Sequence, residues 1–357
     1  MGMPDLTRPA PTRRQLLRAS GAAGLALTGL LAGCGTGEAD SGGGQTIKVA
    51  LGWIKNVEFA GYWIAADRGY YADEGLTVEF QAGGPNAPDP TQSVATGNAH
   101  IGIHPNLQTV VQAIAKGNDF KLVGTQFQTG PGGMLSLASD PVRTPADLVG
   151  KKILGQQGTQ PTIDAALKVA GLPKDYTFVP VGFDPAPLVE KKGAVYTCFV
   201  TSQPITLEQK YGMKEGTDYV SVTTSDLGIP GYACLVFTGN SFLDKHRKAV
   251  EGFLRASVRG WQDNARDPEI AARLAVEKYG VDLGLDLKQQ IRENELQTPL
   301  TRSALTESSG LFRIDTELLG GKMYEALRAS GVQRLPDASE IVDQTVLDAV
   351  FKGKSAV

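Results

Sequence analysis

The residues in this chain that could act on another molecule are rings and amides. Between Leu51 and Phe80 it reads LGWIKNVEFAGYWIAADRGYYADEGLTVEF, with two tryptophans, three tyrosines and two phenylalanines, while only 7% of the sequence is aromatic. Trp53 ends a strand and precedes a polar turn, where a ring can stack on a flat ligand; such a contact is worth about 0.5–1.5 kcal/mol beyond the area covered. Asn56 and Asn106 can each donate and accept, which suits the edge of a heterocycle. Gln126 and Gln128 flank Phe127 directly after a strand, so a period of two puts both amides on one side. Phe59 and Tyr62 share a helix face with Trp63; Trp63 is expected in the core and the other two at the edge of the pocket. His104 before a helix-starting proline, and Thr159 with Gln160 at another helix start, lie beside free backbone N–H groups. Phe199 and Tyr232 are candidate stacking partners from a later part of the chain.

Other kinds of chemistry lack their residues. Three histidines and three cysteines occur without CxxC spacing, and His100 and His104, four apart, lie at the ends of the strand read at AHIGI and not on a helix face, so neither a metal site nor a cofactor nor a catalytic residue is expected. Cys198 and Cys234 read as small buried thiols, with a disulfide between them as the alternative in an oxidising compartment. The net charge is −3, from 35 basic and 38 acidic residues, and no basic cluster suggests a nucleic-acid surface. Lys55 is the only Lys or Arg in the candidate loops. Neutral donors and helix ends can hold an oxyanion, but loops rich in amides and rings suit a neutral heterocycle better.

Positioning these residues requires a regular scaffold, and the pattern supplies one. Strands at TIKVAL, LTVEF, AHIGI and FKLVGT alternate with helices, one carrying Phe59, Tyr62, Trp63 and Ala66 on a single face and another carrying Leu107, Val110, Val111 and Ile114. A second α/β run begins near Pro141, and from Ser241 the chain is helical to its end. The expected division is a first lobe at 46–138 and 237–357 and a second lobe at 139–236, joined near Leu137–Pro141 and again near Cys234–Thr238. A chain that goes out and returns through two connections makes a hinge, and a hinge between lobes makes a central cleft.

The first forty-five residues read differently. Arg13 and Arg14 precede Leu16 and Leu17, then GAAGLALTGLLAG, an apolar stretch too short and glycine-rich to span a membrane. The order is that of an export signal, 1–34, of twin-arginine character. LAGC at Leu31–Cys34 is similar to a lipobox, with Cys34 the lipidation site, and 35–45 is a flexible Gly/Ser tether. The expected product is an exported monomer, lipid-anchored on the outer face of the membrane.

The order of motifs resembles the substrate-binding proteins of ABC importers for nitrate, sulfonates and thiamine-pyrimidine precursors. The matching stretches are DRGYYADEGLTVEF (Asp67–Phe80), GNAHIGI (Gly97–Ile103), TPADLVGKKI (Thr144–Ile153), VTSQP (Val200–Pro204) and FLRASVRGWQDNARDPEIAA (Phe253–Ala272). The resemblance implies an α/β periplasmic-binding-protein fold of type II that closes on a small molecule and hands it to a permease. GWIKNVEFAG followed by GGPNAP is similar to the subgroup with vitamin-type ligands, a pyrimidine precursor or riboflavin; an alkanesulfonate, taurine or nitrate is the alternative. His100 stands where the family usually has an acid, and KKGAVYTCF lacks the usual aspartate. Fungal thiamine pyrimidine synthases share this fold but need a lysine, a histidine and a cysteine cluster. The corresponding positions here hold His104, Gln108 and, within Ile229–Leu235, Cys234 alone. Without an amine no Schiff base forms, so a binding protein is expected rather than an enzyme.

Overall fold

The computed structural model describes residues 44–84 and 86–357. The export segment, Cys34 and the tether up to residue 43 lie outside the described residues.

Ten strands build two five-stranded sheets. The first sheet holds β1 (Gln45–Leu51), β2 (Leu76–Gln81), β3 (Ile101–His104), β4 (Phe120–Phe127) and β10 (Ala233–Gly239) in the order β2-β1-β3-β10-β4. The second holds β5 (Gly132–Leu137), β6 (Lys151–Gly155), β7 (Tyr176–Pro180), β8 (Val195–Phe199) and β9 (Tyr219–Thr223) in the order β7-β6-β8-β5-β9. Within each sheet β1 or β6 pairs in parallel on both sides, and one strand, β10 or β5, runs antiparallel to both its neighbours. The two sheets thus repeat one plan, and the strand that breaks it in each follows directly after a crossing.

The crossings fall at 128–131 and 224–232, where Gly130 N–H donates to Gly231 C=O at 2.8 Å. This corrects the expected joints. Leu137 belongs to β5 in the second sheet, and Cys234–Thr238 to β10 inside the first. An apolar run announces a strand but not the sheet that takes it. The true crossings carry the Gly and Pro residues of TGPGG and LGIPGY.

Seven helices matter for the site: α1 (Ala60–Asp67), α2 (Leu107–Ala115), α3 (Gln160–Val169), α4 (Gln203–Tyr211), α5 (Asn240–Asn264), α6 (Leu287–Gln297) and α7 (Tyr324–Ala329). The core of the first half is a ring cluster on α1. Tyr62 lies 6.0 Å from Phe253 and 6.3 Å from Trp261, both on α5, while Trp63 packs edge-on against Phe80 at 5.1 Å and stacks on Tyr279 at 4.3 Å. The helices approach this closely because glycines meet: a Cβ on Gly260 would sit 1.9 Å from the Gly61 carbonyl oxygen. Two smaller apolar clusters, around Ile153, Ile163 and Val195 and around Leu154, Leu188 and Tyr196, fill the two faces of the second sheet.

Candidate functional site

The carboxyl ends of the parallel strands lie on the side of the crossings, because β4 ends at Phe127 and β5 begins at Gly132. In open α/β sheets that side takes the ligand. There the first sheet presents the turn after β1, and the second presents Gly155 and Phe199 at the ends of β6 and β8.

The turn after β1 is irregular backbone inside the protein, so its polar groups need partners. Five of them find a side chain, while Asn56 N–H donates to Ile54 C=O. Asn56 caps the single 3-10 turn Val57–Phe59, its Oδ1 accepting from Glu58 N–H at 3.2 Å. Val57 N–H donates to Gln290 Oε1 at 2.8 Å, and Val57 C=O accepts from Gln297 Nε2 at 2.6 Å. The Asn56 carbonyl accepts from Trp63 Nε1 at 2.7 Å, and the Glu58 carbonyl from Gln126 Nε2 at 2.8 Å. Helix α1, helix α6 and strand β4 therefore hold one short turn in place.

The Glu58 side chain emerges from that turn half-buried, with Cys234 Sγ donating to Oε1 at 2.9 Å. Burial raises its carboxyl pKa, and the thiol bond opposes this. Burial, then the Glu58 charge, pushes the Cys234 thiol well above its usual range, which makes it a donor and not a nucleophile. Glu293 is buried behind the turn. It accepts from Asn56 Nδ2 at 3.3 Å and Gln290 Nε2 at 3.1 Å, and burial with the Glu58 charge pushes it up to about 8. Tyr62 Oη and Gln126 Oε1 are buried with no protein partner among the described residues, the sort of orphan that an ordered water or ligand atom satisfies.

The expected site residues divide. Trp53, 38% exposed, and Phe199, 49% exposed, keep their rings free at strand ends of the two sheets. Gln160 is half-buried at the start of α3, beside Thr159, whose hydroxyl donates to Gln156 C=O at 2.8 Å. The rest are committed to the fold. Phe59 and Tyr62 lie wholly in the core and not at a pocket edge, because α1 presses its aromatic face onto α5 and β2. Asn56 caps the turn and Asn106 caps α2, its Oδ1 accepting from Thr109 N–H at 3.0 Å. His104 is buried; Nδ1 accepts from Asn106 N–H at 2.9 Å, which leaves Nε2 to donate to Asp89 at 3.0 Å. Gln128 donates to Arg313 C=O at 2.8 Å, so the two strand-end glutamines serve different partners. Tyr232 is buried, and its hydroxyl accepts from Asp315 N–H at 2.8 Å. Cys198 and Cys234 are separate buried thiols.

Two residues at the turn carry no mark in the sequence: Glu58 and Glu293. Glu58 sits in NVEF, where a charge between apolar residues reads as solvated surface. Gln290, Glu293, Asn294 and Gln297 recur at helical spacing, but a polar stripe reads as solvated surface, and only the structure shows that all four are buried. Two surface depressions, of about 680 Å³ near His100, Phe242 and His246 and about 610 Å³ near Tyr324 and Arg328, contain none of the expected site residues.

Set beside known proteins, the chain matches the NMT1/THI5-like family over residues 56–271, more than half its length, and belongs to that family. It is 28% identical to the riboflavin-binding protein RibY of Chloroflexus aurantiacus, covering 82% of this chain and 83% of that protein. It is 26% identical to the formylaminopyrimidine-binding protein of Halalkalibacterium halodurans, covering 76% and 82%. A Legionella pneumophila protein named 4-amino-5-hydroxymethyl-2-methylpyrimidine phosphate synthase is also 26% identical, covering 76% and 83%. Among solved structures, the periplasmic aliphatic sulphonate binding protein SsuA of Escherichia coli superposes with a TM-score of 0.61 at 15% identity, covering 85% of this chain and 99% of that one. That likeness shows the fold, the periplasmic-binding-protein fold expected from the motifs.

Proposed function

We propose that this protein is the extracytoplasmic solute-binding lipoprotein of an ABC importer, anchored through Cys34, and that it captures a small flat heterocycle by closing its two halves. One observation carries the reading. Trp53 and Phe199 are large rings left exposed at strand ends, one from each sheet, on the side where the crossings join the halves. Single exposed rings are ordinary on a surface; what supports a guest is their position, one at a strand end of each sheet on the side of the crossings, where closure of the halves would cover both.

The chemistry beside them favours a heterocycle over an oxyanion. The first-sheet turn offers the Glu58 carboxyl, which an anionic ligand would meet as a like charge, with Lys55 before it as the one cation of the candidate loops. The relatives named for riboflavin and formylaminopyrimidine binding agree with a flat nitrogen heterocycle. The synthase reading lacks its amine: His104, at the position of the required lysine, spends both ring nitrogens on Asn106 and Asp89.

Thermal shift of the purified protein against riboflavin, formylaminopyrimidine, hydroxymethylpyrimidine, taurine, alkanesulfonates and nitrate tests the proposal. The expected result is a higher melting temperature with one of the heterocycles. Stabilisation by the anions alone would refute it. Small-angle scattering should show compaction when that heterocycle saturates the protein.

A further inference from the structure

Helix α6 has a face that runs against expectation. Gln290, Glu293, Asn294 and Gln297 follow helical spacing, where a packed helix normally presents apolar side chains, yet all four are buried. Asn294 and Asn264 bond each other reciprocally, and Asn294 also donates to Pro268 C=O at 2.7 Å. Gln290 and Gln297 bond the backbone of Val57, and Glu293 bonds Asn56. This contact fixes the Asn56 amide: with Nδ2 on Glu293, Oδ1 is left to cap Glu58 N–H, and the Glu58 side chain leaves the turn from there.

Arg292 is the neighbour of Glu293 on the same helix, about 100° further round. Its Nε and Nη2 each lie 3.1 Å from a Glu208 carboxylate oxygen on α4, which follows β8 of the second sheet. This is a bidentate fork between the halves, partly exposed, and so easily made and broken. Elsewhere α7 packs against α3 of the other half, a second contact between the halves.

We propose that α6 couples the halves to the binding turn: Glu293 is a positioning residue that holds Asn56, and through it Glu58, while Arg292 fastens the same helix to α4. The proposal rests on the receptor reading only in treating that turn as part of the ligand site. A rigid helix cannot shift at Arg292 without moving Glu293 with it. Separation of the halves thereby loosens the turn, and a seated second half steadies it.

The charge state of Glu293 gives the coupling a signature. Burial and the Glu58 charge favour the neutral acid up to about pH 8. Most cations on the elements around it are engaged elsewhere: Arg273 with Glu269, Lys278 with Asp67, Lys210 with Asp184 and Arg292 with Glu208 and Glu295, while Lys288, on α6 itself, is exposed and makes no ion pair among the described residues. Lys55 precedes the turn and makes no ion pair among the described residues. Above pH 8 a second negative charge would face Glu58 and slacken the turn.

Hydrogen exchange on the full chain without ligand tests this, at pH 7 and pH 9, following segments 53–60 and 203–211. E293A should raise exchange across 53–60 by roughly tenfold at pH 7. E293Q, whose Oε1 can still accept from Asn56, should raise exchange there less than E293A and should abolish the fall in protection factor, taken relative to the base-catalysed intrinsic rate, that wild type shows at pH 9. R292Q and R292E should raise exchange in both segments, and R292E/E208R should restore both. The proposal is overturned if the Arg292 variants loosen 203–211 alone, or if E293A leaves 53–60 unchanged. Because no ligand is used, these outcomes are independent of the thermal-shift panel, whose failure would instead count against the heterocycle receptor.

Discussion

Helices α1 and α6 grip the same turn with opposite materials. Helix α1 brings rings: Tyr62 and Trp63 sink into the core, and only the Trp63 Nε1–H reaches back to a turn carbonyl. Helix α6 brings a buried stripe of amides and one acid, which meets the irregular backbone group by group. The contrast shows a division of labour. Apolar area drives α1 against α5, a large but non-directional gain. Directional bonds from α6 then choose which conformation the turn adopts, and the net value of each is only about 1 kcal/mol.

The contrast predicts unequal damage. The largest effect should come from Trp63→Ala, which empties a core site and orphans the Asn56 carbonyl; a loss of about 3–5 kcal/mol is expected in denaturant unfolding. A loss below 1 kcal/mol would mean that the ring cluster does not dominate. Next stands Gln290→Leu, which keeps the bulk but strips the partner from a buried Val57 N–H, at about 1–3 kcal/mol. If that variant were as stable as wild type, the amide stripe would be ordinary solvated surface and the contrast would dissolve.

The pH dependence tests the acid of that stripe by another route. Folded Glu293 keeps its proton up to about pH 8, whereas in the unfolded chain it loses it near its ordinary 4.5. Between those values the folded state binds more protons, so this contribution is full below 4.5 and is lost as pH rises through 8. Glu58, also raised, acts in the same direction. Melting curves for E293Q should therefore fall less steeply with pH than those of wild type; identical slopes would exclude Glu293 as the source. The smallest effect on stability should be that of Trp53→Ala, within about 0.5 kcal/mol for an exposed position. Its binding of the heterocycle found by thermal shift should nevertheless weaken roughly tenfold, about 1.4 kcal/mol by titration calorimetry. Unchanged affinity would remove Trp53 from the site.

Much of the fold was legible in the sequence. Strands at Thr46, Leu76 and Ile101 and the ring face of α1 follow from local periodicity, and the order of motifs pointed to the family. The site was legible only in part. Trp53 and Phe199 stand out in the sequence as rings at strand ends, and the structure leaves both exposed. His104, Asn106, Gln128 and Tyr232 were chosen because their groups could meet a ligand, yet each meets another part of the chain first. A polar side chain near a strand end carries no mark that tells a fold contact from a ligand contact. Glu293 was passed over for the converse reason, since a polar stripe on a helix reads as surface unless its burial is known.

By itself the sequence determined the class: an alternation of strands and helices, a short apolar leader with a lipobox-like end, and a cluster of rings after the first strand. These follow from neighbours along the chain, where spacing alone places side chains on a face. Only the tertiary structure decided that the chain crosses between sheets just before β5 and β10, that Tyr62 is core while Trp53 is free, and that α6 bonds the turn after β1. Those outcomes depend on groups up to 240 residues apart, such as Gln297 and Val57, being brought within bonding distance. Burial then decides whether a polar group must find a partner in the protein or can be left to water or a guest.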